Sequence, residues 1–472
     1  MTAKSIERPS RRALLPLALA PVVLPSRAAM KSRPNLLFVL SSQHRHDWVG
    51  ASKSLALQTP NLDLIARTGV RFTRVVSASP MAGPSRACLA SGRDYWRCGV
   101  RGNAEDYPLD QPTFYQSLRE VGYRVASCGT LELHKATLDW GIDGRRFLPE
   151  WGFTDGFDSA GKMKAVLSGA VEARDPYMAY LHSRGLAVIH VEDYRRRMGL
   201  NGYLNTDACP LPAEAYYDNW VAAEGLNLLR SLPRNRPWFL QLGFPAARNP
   251  LDTTRRMQRL QQRRTFPQPV DSEQYTPERH VAIRRNYSAI VENIDRLLGL
   301  FLEEIRERGE TENTYVIYSS DHGEMLGDHE RWAAGMPYRP SVSVPLYVRG
   351  PGVRSGVVCE ELVSHHDLAA TILELASAPR LHEPDSRGLR ALLEGRVKTH
   401  REFVRSAFGR WRMICDGRYK LIRGFDMEET GKRARNAPEP KPVLFDLKLD
   451  PEEVSNSARE YPDQVQRLMR LL

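Results

Sequence analysis

Short apolar runs that alternate with amphipathic segments constrain the fold of this chain more than any other feature. Residues 36–40 and 238–244 are almost continuously apolar, and residues 314–319 form a third run of this kind. Such runs are typical of strands in a sheet that is covered on both faces. Helical spacing of apolar residues predicts helices over 213–230 and 277–308. The alternation therefore predicts an α/β protein built around a layered sheet.

Further elements repeat this alternation along the chain. Thr59, which precedes a proline, is the predicted N-cap of a helix that ends at Gly69. A helix over 113–121 is followed by a strand over 123–127, and another strand is predicted over 345–348. These elements extend the predicted sheet.

The pattern changes in the last hundred residues, where short alternating strands replace the buried runs. The elements predicted there are a hairpin over 412–422 that turns at Asp416-Gly417, a strand over 443–447 and a helix over 461–472. We therefore predict an α/β domain over 31–375 and a small α+β subdomain with antiparallel strands over 376–472.

Composition excludes several classes of protein. Apolar residues make up 42 % of the 472 residues, which is enough for a sizeable core and excludes a disordered chain. Lysine and arginine exceed aspartate and glutamate by 11 charges, which suits an acidic ligand or partner. The basic residues form no compact tract interleaved with aromatic residues, so we do not predict nucleic-acid binding. The arginine clusters at 195–197 and 255–264 are predicted to face solvent, and attraction of an anionic substrate is the alternative.

The first thirty residues have the pattern of an export signal. Arg11 and Arg12 precede a short apolar stretch over 13–24, and small residues follow at 26–28. The arginine pair favours a twin-arginine signal, and an ordinary export signal or a mis-assigned start is the alternative. The stretch is too short to span a membrane, and no later segment reaches spanning length. Residues 1–30 are therefore predicted to direct export to a bacterial periplasm or cell envelope.

The six cysteines show no metal-binding or redox spacing. None of them forms a Cys-x-x-Cys pair, so zinc-ribbon and thioredoxin-like sites are not expected. We predict buried thiols for Cys88, Cys98, Cys128, Cys209, Cys359 and Cys415.

Three polar segments follow predicted strands, at the sheet edge where open α/β sheets place their sites. They are residues 41–45 (Ser-Ser-Gln-His-Arg), 82–93 (Ala-Gly-Pro-Ser-Arg and the helix after it) and 320–329 (Ser-Asp-His-Gly-Glu and the loop after it). Together these segments resemble the sulfatase family of the alkaline-phosphatase superfamily. Residues 33–35, 351–353 and 418–422 also match the family pattern and follow in the same order.

The resemblance implies a fold and a chemistry. The fold is a central mixed, largely parallel sheet flanked by helices, with a small C-terminal subdomain. Active members convert a cysteine or serine to formylglycine, whose hydrate attacks the sulfur of a sulfate ester. A divalent cation, calcium or magnesium, assists, and basic side chains neutralise the developing charge.

The nucleophile and metal positions of the family pattern are altered here. The nucleophile position falls on Ala82, which has no heteroatom. Ser42 stands where the family has a metal-binding aspartate, whereas Gln43, Asp321 and His322 match metal ligands. A single carboxylate holds calcium or magnesium weakly, so the resemblance implies weak or absent binding of this cation. A softer ion on Gln43, Asp321 and His322 is the alternative.

The basic positions are altered as well. Thr130 replaces a lysine, Arg248 replaces a histidine, and Ala334 replaces another lysine of the pattern. A second histidine of the pattern is matched by His134, although Glu132 competes for that place. Five family groups are therefore missing from one predicted site.

Arg86 and its neighbours keep the family pattern. Arg86 matches the arginine that steadies the nucleophile region, and pairing with Asp321 is the alternative role. Ser85 is predicted to cap the helix rather than to replace the nucleophile, and Cys88 is predicted to lie in the core.

These observations lead to three hypotheses. The first is an exported pseudosulfatase that binds a sulfated or otherwise anionic small molecule or glycan without cleaving it. The second is an active sulfate or phosphate ester hydrolase that uses a metal-activated water and no formylglycine. The third is a structural or partner-binding subunit. The sequence does not indicate the oligomeric state.

Overall fold

A computed structural model describes residues 1–2, 33–52, 55–199, 202–428 and 439–472. The predicted export signal over 1–30 lies outside the described residues, except for its first two. Residues 33–472 form one compact unit.

Strands and helices alternate through most of this unit. The described strands are β1 (Asn35–Ser41), β2 (Val70–Val76), β3 (Arg124–Gly129), β4 (Asp155–Gly156), β5 (Trp238–Phe244), β6 (Thr314–Ser320), β7 (Ser343–Arg349), β8 (Val357–Ser364), β9 (Val404–Phe408), β10 (Trp411–Cys415), β11 (Tyr419–Arg423) and β12 (Val443–Asp446). The described α-helices are α1 (Pro60–Thr68), α2 (Ala82–Ser91), α3 (Phe114–Glu120), α4 (Leu148–Trp151), α5 (Gly161–Gly169), α6 (Pro176–Ser183), α7 (Ala187–Gly199), α8 (Tyr217–Ser231), α9 (Arg255–Gln261), α10 (Pro277–Glu307), α11 (Arg339–Val342), α12 (Asp367–Ala376), α13 (Arg390–Leu393) and α14 (Pro462–Met469).

Eight strands form one mixed, mostly parallel sheet in the order β4-β3-β5-β1-β6-β7-β2-β8. Strands β3, β5, β1 and β6 are adjacent and parallel, whereas β7 is antiparallel to both of its neighbours. The carboxyl ends of the four central strands therefore meet at one edge, where ligand sites of open α/β sheets lie. The predicted α/β class is confirmed.

Helices cover both faces of this sheet. In β1, Leu37 and Val39 pack into one cluster with side chains of α1, α8 and α10. Leu36 and Phe38 point to the other face and pack with side chains of α2, α3 and α12. All seven residues of β1 are buried, which confirms the strand predicted to be covered on both faces.

Helix α10 is the longest helix in the described part of the chain, and its sequence accounts for its bounds. The Thr276 hydroxyl accepts a hydrogen bond from the Arg279 amide at 3.4 Å, and a proline follows at the first helical position. Ile290, Ile294 and Phe301 recur at helical spacing on the buried side. The predicted helix over 277–308 is confirmed.

The last four strands form a separate antiparallel sheet in the order β12-β11-β10-β9. Its central hairpin turns at Asp416 and Gly417, where the Asp416 carboxylate accepts from the Tyr419 amide at 2.7 Å and Gly417 has φ of 95°. The Ala407 amide donates to the Ala78 carbonyl at 3.1 Å and so joins this sheet to the loop after β2. The domain boundary near residue 376 stays a prediction.

One local prediction was confirmed and another was wrong. Thr59 is the N-cap residue of α1 and a proline follows it, as predicted, although the Thr59 hydroxyl makes no capping bond and accepts from the Gly50 amide at 2.9 Å. Arg197, predicted to face solvent, is fully buried and donates to Asp193 at 2.8 Å.

Two other predictions can be compared directly with the structure. All six cysteines are buried free thiols, as predicted. None of the helices described is both long enough and apolar enough to cross a bilayer.

Candidate functional site

The predicted site segments meet at the carboxyl edge of the large sheet. Ser41 ends β1 beside Ser320 at the end of β6, and the two loops that follow continue this pairing. The Asp321 amide donates to the Ser41 carbonyl at 3.2 Å, and the Ser42 amide donates to the Phe244 carbonyl at 2.9 Å. On the next strand, the Thr130 amide donates to the Gly243 carbonyl at 2.9 Å. The segments that follow β1, β3, β5 and β6 therefore lie side by side at this edge.

Asp321 lies at the centre and is 0 % exposed. Its Oδ1 accepts from the backbone amides of Gln43 at 3.1 Å and His322 at 2.8 Å. Its Oδ2 accepts from Ser42 Oγ at 3.1 Å and from Arg86 Nε at 3.3 Å. Burial raises the pKa of Asp321, but His322 and the guanidinium groups of Arg86 and Arg248 outweigh it and hold the pKa below its usual value. The carboxylate is therefore ionised and fully hydrogen-bonded.

Gln43 turns its side chain away from Asp321 and toward Glu324. Its φ of 57° is unusual for a residue other than glycine and marks local backbone strain. Gln43 Nε2 donates to Glu324 Oε2 at 2.6 Å, and the Tyr203 hydroxyl donates to the same oxygen at 2.8 Å. Burial raises the pKa of Glu324 to about 7. The Gln43 amide group is thus engaged within the protein.

His322 lies beside Asp321 with a defined tautomer. Its Nδ1 contacts the Gly323 carbonyl at 2.9 Å, and a carbonyl only accepts, so Nδ1 carries the proton. Its Nε2 lies 3.7 Å from Asp321 Oδ1. Burial lowers the pKa of His322 below its usual value, and the neighbouring Asp321 carboxylate acts in the opposite direction.

Ala82 is the first residue of α2 and is buried beside the strand ends. The next amide, that of Gly83, donates to Asn103 Oδ1 at 2.8 Å. The loop that contains Ala334 approaches from the other side, because the Gly335 amide donates to the Pro80 carbonyl at 2.8 Å. The loop that contains Ala334 therefore lies next to the residues that precede α2, and both matched positions hold a methyl group.

Ser85 and Arg86, on the first turns of α2, both contact Asp321. The Ser85 hydroxyl donates to the Asp321 carbonyl oxygen at 2.7 Å, so the predicted capping role of Ser85 was wrong. Arg86 pairs with the Asp321 carboxylate, as in the alternative role derived from the sequence. Both terminal nitrogens of this guanidinium are buried without a hydrogen-bond partner.

A second group of charges lies on the β3 and β5 side. Arg248 donates to the Glu132 carboxylate, and its Nη2 also lies 3.3 Å from Ser42 Oγ. Lys135 Nζ pairs with the same carboxylate. Burial raises the pKa of Glu132, but Arg248 and Lys135 outweigh it and hold the pKa far below its usual value. Burial lowers the pKa of Lys135 to about 8.

His134 and Thr130 make no hydrogen bond to the charged side chains of the site, although both match positions of the family pattern. The His134 ring stacks on Trp140 with centroids 4.6 Å apart and meets the edge of Phe147 at 4.8 Å. Its Nε2 is buried without a partner. The Thr130 hydroxyl contacts only the Gly243 carbonyl, at 3.4 Å. Glu132, and not His134, makes the contact with Arg248.

The residues present do not fit a calcium or magnesium ion. These cations take about six oxygen ligands or more. Asp321 supplies the one carboxylate of the four matched positions, and each of its oxygens already accepts two hydrogen bonds. Ser42 offers a neutral hydroxyl, with the Arg248 guanidinium against it. Within the described residues, no group of three His, Cys, Asp or Glu side chains is arranged to hold a metal ion.

Sequence reasoning missed two parts of this site. Lys135 was not singled out, although it lies three residues from Glu132 in a segment of polar residues within an otherwise apolar region. Glu324, although part of a quoted motif, was not given a role. In both cases the signal was a charged residue near a strand end. The partner of Lys135 is the nearby Glu132, whereas Glu324 accepts from Gln43 and Tyr203, which are distant in sequence.

The layered sheet and the segments that meet at its edge define an alkaline-phosphatase-like protein. The phosphonate monoester hydrolase of Agrobacterium radiobacter has the same fold, with a TM-score of 0.75, 22 % identity and coverage of 93 % of this chain and 94 % of that one. The family profile described as Sulfatase matches residues 34–378. This chain belongs to the sulfatase family.

Curated relatives extend along most of the chain. An arylsulfatase from Clostridium perfringens is 24 % identical over 469 residues, which cover 93 % of this chain and 94 % of the relative. An N-acetylglucosamine-6-O-sulfatase from Bacteroides thetaiotaomicron is 26 % identical over 527 residues, with coverage of 97 % and 89 %. The similarity therefore includes the small C-terminal sheet as well as the large one.

Proposed function

We propose that this protein is a pseudosulfatase that binds a sulfated or otherwise anionic glycan without hydrolysing it. The observation that carries the proposal is the Ala82 side chain at the start of α2. A covalent mechanism needs an oxygen or sulfur nucleophile at this place, and a methyl group supplies neither. Near Ala82, the Ser85 hydroxyl donates to the Asp321 carbonyl and Arg86 Nε donates to the Asp321 carboxylate.

The nearby hydroxyl groups support the loss of the nucleophile. Ser85 Oγ donates to the Asp321 carbonyl, and Ser77 Oγ lies 2.6 Å from the same oxygen. Ser42 Oγ donates to the Asp321 carboxylate. A carbonyl oxygen accepts a hydrogen bond but does not remove the proton, so Ser85 and Ser77 lack the adjacent general base that activates a nucleophile. Ser42 donates to a carboxylate that Arg86 also contacts and whose pKa is held below its usual value, which makes this carboxylate a weak base.

The charges that remain support anion binding. The Arg248 side chain is 19 % exposed, so this guanidinium reaches solvent from within the site. Lys164, on α5, donates to the Lys135 carbonyl and lies half-buried beside it. Arg146 and Lys164 both act on the His134 ring electrostatically. Arg248, Lys164 and Arg146 are therefore proposed to bind the sulfate group. The similarity to an N-acetylglucosamine-6-O-sulfatase favours a sugar as the molecule that carries this sulfate.

We also propose that the protein is exported. The basis is the pattern of charged, apolar and small residues over 1–30, which lies almost wholly outside the described part of the chain. Export places the protein where extracellular sulfated glycans are encountered.

Hydrolysis assays test the loss of activity. We expect no release of sulfate, phosphate or phosphonate from aryl esters above the buffer blank, with an active arylsulfatase as the positive control. Ala82→Cys, produced with a formylglycine-generating enzyme, is expected to stay inactive because Ser42, Thr130 and Ala334 still lack the family groups. Turnover by the wild type that Asp321→Asn abolishes would overturn the proposal in favour of a hydrolase with an activated water.

Binding measurements test the proposed ligand. Calorimetry with a sulfated glucosamine oligosaccharide and its desulfated counterpart is expected to show binding of the sulfated form alone, weakened by added salt. Lys164→Gln is expected to weaken binding about tenfold, because it removes one charged donor. Lys448→Gln changes an exposed lysine of the small sheet and is the matched control. Equal affinity for both oligosaccharides, or binding only of a partner protein, would contradict the proposal.

A further inference from the structure

The buried carboxylates of this site are neutralised by side chains of the chain itself. Asp321 and Glu132 are both almost fully buried, and a buried carboxylate without a counter-charge is strongly destabilising. Arg86 pairs with Asp321, and Lys135 pairs with Glu132. Arg248 lies between the two carboxylates, where it donates directly to Glu132 and reaches Asp321 through Ser42 Oγ.

The positive charge of Arg248 acts on both carboxylates, those of Glu132 and Asp321. Burial lowers the pKa of this guanidinium, but Glu132 and Asp321 outweigh burial and raise the pKa above its usual value. Arg248 therefore stabilises two carboxylates that belong to different strands, β3 and β6, on either side of β1 and β5. A bound divalent cation at such a strand-end cluster performs the same electrostatic task.

The position of Arg248 is fixed by a second buried pair. Lys162 Nζ donates to Asp252 Oδ1 at 2.6 Å and lies 3.4 Å from the Pro250 carbonyl, and both charged side chains are 3 % exposed. This contact anchors the loop after β5, which contains Arg248. The loop that carries the guanidinium is thus anchored to α5.

We propose that the Arg248 guanidinium takes the place of the divalent cation and makes this site independent of metal. Compared with the family pattern, Ser42 removes one negative charge and Arg248 adds one positive charge, whereas Thr130 and Ala334 each remove the positive charge of a lysine. Ser42 lies against Asp321 Oδ2 and Arg248 lies against Ser42 Oγ, so the first two changes act at the carboxylate that a cation would neutralise. This inference concerns what neutralises Asp321, and it stands apart from the question of which glycan is bound.

Metal titration of the wild type is the first test. We expect the midpoint of thermal unfolding to stay the same after dialysis against EDTA and after addition of calcium, magnesium, manganese or zinc. Elemental analysis of the purified protein is expected to find no stoichiometric metal. A metal-dependent rise in the midpoint, or one bound ion per chain, would overturn the proposal without any variant.

Removal of the guanidinium is the second test. Arg248→Gln is expected to lower the midpoint by about 3–5 °C, because it leaves Glu132 and Asp321 short of one buried counter-charge. Arg248→Lys is expected to recover part of this loss, since it restores the charge without the planar fork. No loss in Arg248→Gln would contradict the proposal.

Exchange of the guanidinium for a metal is the third test. The double variant Ser42→Asp/Arg248→His is expected to show a midpoint that rises with calcium, whereas Ser42→Asp and Arg248→His alone show no such response. Arg197→Gln also breaks a buried ion pair, with Asp193, and Ser42→Asp/Arg197→Gln is the matched control that gains no calcium response. A calcium response in this control would attribute the effect to Ser42→Asp and reject the role of Arg248.

Discussion

The Ser85 hydroxyl donates to the main-chain carbonyl of Asp321 at 2.7 Å, and this bond ties the start of α2 to the loop after β6. Ser77 Oγ donates to the same carbonyl at 2.6 Å and lies 3.2 Å from Ser85 Oγ. Two hydroxyl groups therefore hold Asp321 through its backbone while Arg86 holds its carboxylate. The arrangement fixes the turn on which Asp321 and His322 lie.

Ser85→Ala is expected to lower the free energy of unfolding by about 1 kcal/mol, because it removes one buried hydrogen bond. Guanidinium denaturation measures the change. Ser91→Ala is the control, since the Ser91 hydroxyl donates to the Ala87 carbonyl of its own helix at 2.7 Å and does not contact Asp321. Equal decreases in the free energy of unfolding would show that the bond to Asp321 stabilises the protein no more than the bond within the helix.

Lys162→Met is expected to lower the free energy of unfolding by about 3–5 kcal/mol, because Asp252 then keeps a buried charge without its partner. The double variant Lys162→Met/Asp252→Leu is expected to recover much of this loss. A double-mutant cycle from denaturation curves gives the coupling free energy between the two side chains. A coupling near zero would contradict the anchoring role of this pair.

Asp158→Asn is expected to change the pH dependence of stability. Burial raises the pKa of Asp158 to about 8, with Glu132 acting in the same direction and Lys135 against it. Because the folded-state pKa lies above the unfolded value, the folded state holds the proton more tightly. The contribution of Asp158 is then fully present below about pH 4 and is lost as the pH rises to about 8.

Denaturation of the wild type and of Asp158→Asn at several pH values measures this effect. The free energy of unfolding of Asp158→Asn minus that of the wild type is expected to increase between about pH 4 and pH 8 and then to level off. Because the other carboxyl groups are present in both proteins, their contribution to the pH dependence cancels in this difference. A difference that is flat over this range would exclude a raised pKa for Asp158.

The six thiols are expected to be unreactive in the native protein. All are buried, and burial raises the pKa of Cys209 to about 12 and that of Cys415 to about 11. A hydrogen bond with Cys88 lowers the pKa of Cys98, so for this thiol burial alone limits access of the reagent. Because the thiolate is the reactive form, Ellman's reagent is expected to label almost none of them under native conditions and all six in denaturant. Rapid labelling of one thiol in the folded protein would reveal an exposed cysteine or local opening at that place.

Much of the fold could be predicted from the sequence because burial leaves a local pattern. The continuous apolar run of β1 predicted a strand covered on both faces, and the 3.6-residue spacing predicted α10 almost to its ends. The hairpin turn at Asp416 and Gly417 followed from residues that favour a tight turn. These features depend on neighbours within a few positions, which the sequence displays directly.

The site was predicted in part. The order of the motifs identified the segments that the parallel strands bring to one edge. The family resemblance placed Ala82 at the nucleophile position, and this assignment stays a prediction. Lys135, the contact of Glu132 with Arg248 and the stacking of His134 on Trp140 were not predicted. The residue types were visible, but their partners were not.

The sequence by itself determined the strand and helix pattern, the family and the residue types at the positions of the family motifs. Only the tertiary structure decided which charges neutralise one another: Arg248 reaches Glu132 across 116 residues, and Arg86 reaches Asp321 across 235. The physical reason is that backbone preferences and burial act locally along the chain, whereas a buried charge is stabilised by whichever counter-charge the fold brings within a few ångströms.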